Sequence, residues 1–132
     1  MNQKESLDIL AFGAHPDDVE LAASGTILKH ISMGKRVGVV DLTRGEMGTR
    51  GSANDRDLEA KASSRILGLH ARENLGFKDC FFENDKDHLL KVIQVIRRFR
   101  PKVILCNAVT DRHPDHSRAS ELLSRACYLS GL

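Results

Sequence analysis

Short, almost wholly apolar runs alternate along this chain with stretches whose apolar residues recur at helical spacing. Leu7 to Gly13 reads as a buried strand, and Val19 to Met33 as a helix stopped by Gly34. Arg36 to Thr43, centred on Val37-Gly38-Val39-Val40, is a second strand. Arg44 to Asn54 is rich in Gly, Thr, Ser and Asn and predicts a loop, followed by a helix from Asp55 to Leu67 that Gly68 stops. Glu73 to Phe77 predicts a short third strand. From Lys86 to Phe99 the residues Leu89, Leu90, Val92, Ile93, Val95 and Ile96 form a broad helical face, which Pro101 ends. Lys102 to Cys106 is a fourth strand, and Ser117 to Leu129 a closing helix.

Alternation of this kind implies a parallel sheet with helices on both faces, because parallel neighbours need crossover connections. The expected fold is α/β, a Rossmann-like three-layer sandwich, with residues 1–132 in one domain. In the common doubly wound order 3-2-1-4, strands one and four are neighbours and the chain reverses between them. Ligands bind such sheets outside the carboxyl ends of the strands at that switch point. Strand one runs into Gly13-Ala14-His15-Pro16 rather than GxGxxG, which counts against a dinucleotide.

Composition narrows the partners. A net charge of +2 is too small to imply nucleic acid or an anionic membrane. The basic stretch Arg97, Arg98, Arg100 and Lys102 is most simply a solvated helix end. Met1-Asn2-Gln3-Lys4-Glu5 lacks the apolar core of a signal peptide, and no apolar run reaches membrane-spanning length, so a cytoplasmic protein is expected. Cys80, Cys106 and Cys127 form no CxxC pair and read as reduced structural thiols, with Cys106 an inert core thiol.

Two motifs stand where the topology puts a ligand: Ala14-His15-Pro16-Asp17-Asp18 after strand one and Arg112-His113-Pro114-Asp115-His116 beyond strand four. Catalytic zinc commonly takes three protein ligands and leaves a fourth position for water. His15, Asp18 and His116 make such a set, with Asp17 beside them as a general base. His113 suits oxyanion stabilisation or protonation of a leaving amine, with Asp115 orienting its imidazole. The bland reading makes Asp17, Asp18 and Asp115 helix caps, which leaves the paired histidines without a reason. Two histidines and one carboxylate also form the facial triad of non-haem iron enzymes, so Fe2+ stands as the alternative metal. A non-catalytic sugar- or metal-binding module is the third reading. His30, His70 and His88 read as surface residues. Arg44, Arg50 and Arg56 flank the glycine-rich loop, where a guanidinium can grip a carboxylate or phosphate.

These motifs resemble those of the PIG-L/LmbE-like zinc deacetylases, whose AHPDD and HPDH signatures stand intact at Ala14 to Asp18 and His113 to His116. The resemblance implies removal of an acetyl group from an N-acetylglucosamine conjugate. It implies zinc held by His15, Asp18 and His116, Asp17 as general base, and His113 at the tetrahedral intermediate. Leu7 to Glu20, Asp41 to Glu46 and Asn107 to His116 further resemble the bacillithiol-pathway branch, the N-acetylglucosaminyl malate deacetylases. By that analogy Arg56 and Arg112 meet the malate carboxylates or sugar hydroxyls. Members of the family are longer, so the chain is expected to be an amino-terminal portion whose pocket and assembly, a homo-oligomer among the possibilities, are completed elsewhere.

Overall fold

The computed structural model describes residues 5–132; the amino-terminal segment read above for a leader lies largely outside them, in residues 1–4. The elements run β1 (Ile9–Gly13), α1 (Asp18–Ser32), β2 (Val37–Thr43), α2 (Ala53–Leu67), β3 (Ala71–Phe77), α3 (Lys86–Phe99), β4 (Val103–Leu105) and α4 (Pro114–Ser130). The strands form one sheet in the order β3-β2-β1-β4, every pair parallel. This is the expected three-layer α/β arrangement.

The strand pleat sorts the core. In β1, Leu10 and Phe12 face one side, where with Val40 and Leu42 they meet Leu89, Val92, Ile96 of α3 and Leu122, Leu123 of α4. Ile9 and Ala11 face the other side with Val37 and Val39, against Val19 and Ile27 of α1. Both faces of β1 and β2 are therefore covered, which is why their sequences read as unbroken apolar runs.

Departures from expectation have local causes. Helix α2 starts at Ala53 rather than Asp55, because Ser52 and Asp55 close a reciprocal capping box: the Ser52 hydroxyl accepts from the Asp55 N–H and the Asp55 carboxylate from the Ser52 N–H. It ends at Gly68, whose φ of 74° gives the left-handed turn that suits glycine. Strand β3 is seven residues long, two longer at its start than the apolar pattern shows. It is an edge strand, with Arg72 and Glu73 half-buried and Asn74 exposed; Arg72 reaches across to Asp41 of β2 with hydrogen bonds of 2.9 and 3.1 Å, and on to Glu20 of α1. Helix α4 begins three residues early, with Pro114 in its first turn and His113 as its N-cap. Cys106 is exposed rather than a core thiol, since β4 pairs only with β1 and is covered poorly; all three cysteines are free.

Candidate metal centre

Every residue of the two motifs lies at the carboxyl ends of the parallel strands. The backbone between β1 and α1 is pinned from both sides. Ala14 donates its N–H to Asn107 Oδ1 at 2.9 Å, while its carbonyl accepts from the N–H and hydroxyl of Thr43 at 3.1 and 2.9 Å. That fixes His15 and Asp18 relative to β4, across the junction where the chain reverses.

The two histidines share one plan. Nδ1 of His15 lies 3.5 Å from Asp18 Oδ2, and Nε2 of His116 lies 3.3 Å from Asp18 Oδ1. The other ring nitrogen of each meets a further carboxylate: His15 Nε2 with Asp115 Oδ2 at 2.9 Å, and His116 Nδ1 with Asp111 Oδ2 at 3.1 Å. Ligand atoms of His15, Asp18 and His116 lie within 4.8 Å of one another. Donors around tetrahedral zinc sit about 3.3 Å apart at ordinary bond lengths, close to the two His–Asp18 separations. Carboxylate-backed imidazoles are also the arrangement that orients metal-ligating histidines and raises their basicity. The donor set therefore fits a divalent metal.

Electrostatics point the same way. Burial alone would lower the His15 imidazole, but its hydrogen bonds to Asp18 and Asp115 outweigh that and raise it to about 9. Asp18 would be raised by burial, yet bonds from the ring and N–H of His15 and from Asn107 hold it at about 2. These carboxylates favour positive charge beside them, and a divalent cation can take the place of the imidazolium proton.

The Asp115 carboxylate hydrogen-bonds to His15 rather than to His113. The Asp115 side chain, 1% exposed, accepts from His15, from the Cys80 N–H at 3.0 Å and from Arg118 at 2.8 Å. His113 meets only the main chain of Asp115: its Nδ1 accepts the Asp115 N–H at 3.2 Å. A neutral His113 then carries its proton on Nε2. Its ring stacks on His116, centroids 5.0 Å apart, and lies 4.7 Å from that of His15.

Asp17, the N-cap position of α1, has no side-chain capping bond and a backbone φ of 150°. Burial raises its carboxyl, Arg56 opposes this and the Asp18 charge adds to it. The resemblance casts Arg56 as a grip on an acidic substrate, but its guanidinium is turned inward. It lies 3.2 Å from Asp17 Oδ2 and donates to the Pro16 and Gly45 carbonyls. Arg112 is exposed at the rim. Arg44 is engaged by Asp57 and Asn54.

Three further contributors stand outside the residues that the sequence singles out. Asp79, buried after β3, places Oδ1 3.0 Å from His15 Nε2 and accepts the Met47 N–H; its own N–H goes to Glu46. Asn107 bridges Ala14 and Asp18, donating to Asp18 Oδ2 at 3.1 Å. Asp111 backs His116. Asp79 and Asn107 each lie two residues past the end of a strand, and Asn107 and Asp111 fall in the stretch that carries the resemblance, but no motif position marks a role for any of the three.

A family model described as PIG-L, GlcNAc-PI de-N-acetylase, matches residues 10–127. The diacetylchitobiose deacetylase of Thermococcus kodakarensis is 32% identical over 134 residues, covering 94% of this chain and 50% of that protein. The Probable N-acetyl-alpha-D-glucosaminyl L-malate deacetylase 2 of Bacillus anthracis is 30% identical, covering 93% and 60%. The 4-oxalmesaconate hydratase of Pseudomonas putida is 32% identical, covering 89% and 50%. Among solved structures, a conserved protein from Thermus thermophilus is similar at a TM-score of 0.92 and 45% identity, over 96% of this chain and 57% of that one. The malate deacetylase is thus one relative among several at like identity, rather than a distinctly closer branch. The chain spans about half to three fifths of the length of these proteins. With the match running through nearly all its elements, the chain belongs to the PIG-L family.

Proposed function

We propose that this chain forms the metal-binding part of a zinc-dependent deacetylase that releases acetate from an N-acetylglucosamine conjugate. The observation that supports this most is the pair of histidines, each with one nitrogen toward Asp18 and the other backed by a carboxylate. His15, Asp18 and His116 would hold the metal. Zinc, when bound, lowers the pKa of water towards 7 and polarises an amide carbonyl.

The chain's own groups supply the proton transfers. Asp17, which precedes the ligand Asp18 and feels the charges of Asp18 and His15, takes a proton from the attacking water. His113, with its proton on Nε2, donates towards the oxygen that becomes negative in the tetrahedral intermediate or towards the departing amine. Asp115, Asp111 and Asn107 keep the ligand side chains in orientation. Arg112 at the rim suits an acidic aglycone such as malate, a choice supported by the Bacillus anthracis relative. Free thiols suit a reducing, cytoplasmic setting, and among the described residues no helix is long and apolar enough to cross a membrane.

The Pseudomonas putida relative supports a second reading, hydration of an unsaturated acid at the same centre. Acetate release from N-acetylglucosaminyl malate, diacetylchitobiose and N-acetylglucosamine, compared with hydration of 4-oxalmesaconate, separates the two. Zinc and Fe2+ are added in parallel to identify the metal. Acetate from none of the sugars would remove the deacetylase reading.

A further inference from the structure

We propose that Arg56 is a positioning residue for Asp17, holding that carboxylate beside the metal ligands, rather than a group that grips substrate. The inference rests on the reading of Asp17 as the general base.

Three independent observations lead to it. First, the guanidinium sits as a staple between two loops. Nη2 is 3.2 Å from Asp17 Oδ2 and donates to the Pro16 carbonyl at 3.0 Å, while Nη1 donates to the Gly45 carbonyl at 3.2 Å. One planar fork thus joins the turn after β1 to the turn after β2. A lysine, with a single charged point, does not reproduce that span.

Second, the opposing turn is shaped to admit the guanidinium. Gly45 has a φ of 64°, and a Cβ there would overlap the Arg56 side chain. Glycine at this position therefore serves both the turn and the close approach.

Third, the residue held is under backbone strain. Asp17 has a φ of 150° and ψ of −21°, a region that L side chains rarely adopt, with no side-chain capping bond to offset it. The peptide carbonyl just before it is one of those Arg56 holds. Without that hold, rotation about the Pro16–Asp17 segment would swing the carboxylate away from the site. Its side chain is 54% exposed, so packing does little to keep it in place.

The test is a double-mutant cycle on Arg56→Met and Asp17→Asn, with Arg56→Lys as the milder variant should Arg56→Met fail to fold. Acetate release by the zinc-loaded protein is measured with diacetylchitobiose, and urea-unfolding midpoints are measured on the same proteins. Arg56→Met should lower kcat by about ten- to a hundred-fold with little change in KM, since small displacements of a reacting group cost that much. Arg56→Lys should fall between, and Arg56→Met should have almost no further effect on kcat once Asp17 is Asn. The shifts in unfolding midpoint should be non-additive in the two variants, as expected for residues in contact. A raised KM at unchanged kcat would make Arg56 a substrate grip and overturn the proposal, as would additive midpoint shifts. Should the unaltered protein release no acetate, the deacetylase reading fails by itself, and the unfolding cycle still decides whether Arg56 holds Asp17.

Discussion

Asp115 Oδ2 accepts a hydrogen bond from His15 Nε2 at 2.9 Å, joining residues 100 positions apart in sequence. The contact aims the other ring nitrogen of His15 at Asp18 and makes the imidazole a better electron donor. Asp115→Asn keeps the shape of the side chain but removes the charge. It should weaken zinc binding by about ten- to a hundred-fold without abolishing it. Competition against a chelator of known affinity checks this, and an unchanged affinity would show that the carboxylate does not tune His15.

The ligand and the base should separate cleanly. His116→Ala opens the ligand set and should lose stoichiometric zinc, read by elemental analysis after gel filtration. Asp17→Asn should keep zinc while acetate release drops by about 10²–10⁴-fold, because an amide cannot accept the water's proton.

Gly45→Ala should act on Asp17 from a distance. The new methyl group meets the Arg56 guanidinium, and the residue must also hold a φ of 64°. A destabilisation of about 1–3 kcal/mol is expected from the strain, read by urea unfolding. Acetate release should fall as it does in Arg56→Met. Full activity in a folded Gly45→Ala protein would mean that the turn tolerates a displaced Arg56.

Asp41 gives a pH dependence outside the candidate ligand set, although the Asp18 charge contributes to it. Burial pushes its carboxyl up from 3.8 to about 6, with the two bonds from Arg72 offsetting only part of the cost. Because the folded value is raised, its contribution to stability is complete below the ordinary carboxylate value and is lost as pH rises through about 6. Asp41→Asn should therefore flatten the fall in unfolding free energy across that interval. Matching slopes in the two proteins would show that the Arg72 pairing fully compensates the burial.

The fold is legible in the sequence where packing is two-sided. β1 and β2 are buried on both faces, so Leu10 to Phe12 and Val37 to Val40 announce themselves as strands, and the glycine after α2 marks its end. β3 is legible only in part, since an edge strand tolerates Arg72, Glu73 and Asn74 on its way to Leu75. The residues of the candidate metal centre are legible when they stand in a motif and hidden when they do not. Asp79, Asp111 and Asn107 are single polar residues in loops, and only the folded chain brings them against His15, His116 and Asp18. Arg56 stands out for its charge, but its partners Asp17, Pro16 and Gly45 depend on how two turns approach each other.

The seam between β1 and β4 ties the completed fold to the candidate metal centre. The Ala14–Asn107 hydrogen bond across it spans 93 positions, so closing it carries the entropy cost of a long loop. A metal held by His15, Asp18 and His116 together would favour the native state, in which the three meet. At a hundred times its dissociation constant, a ligand bound only by the native state adds about 2.7 kcal/mol to stability. Metal supply would then bear on how stable the fold is.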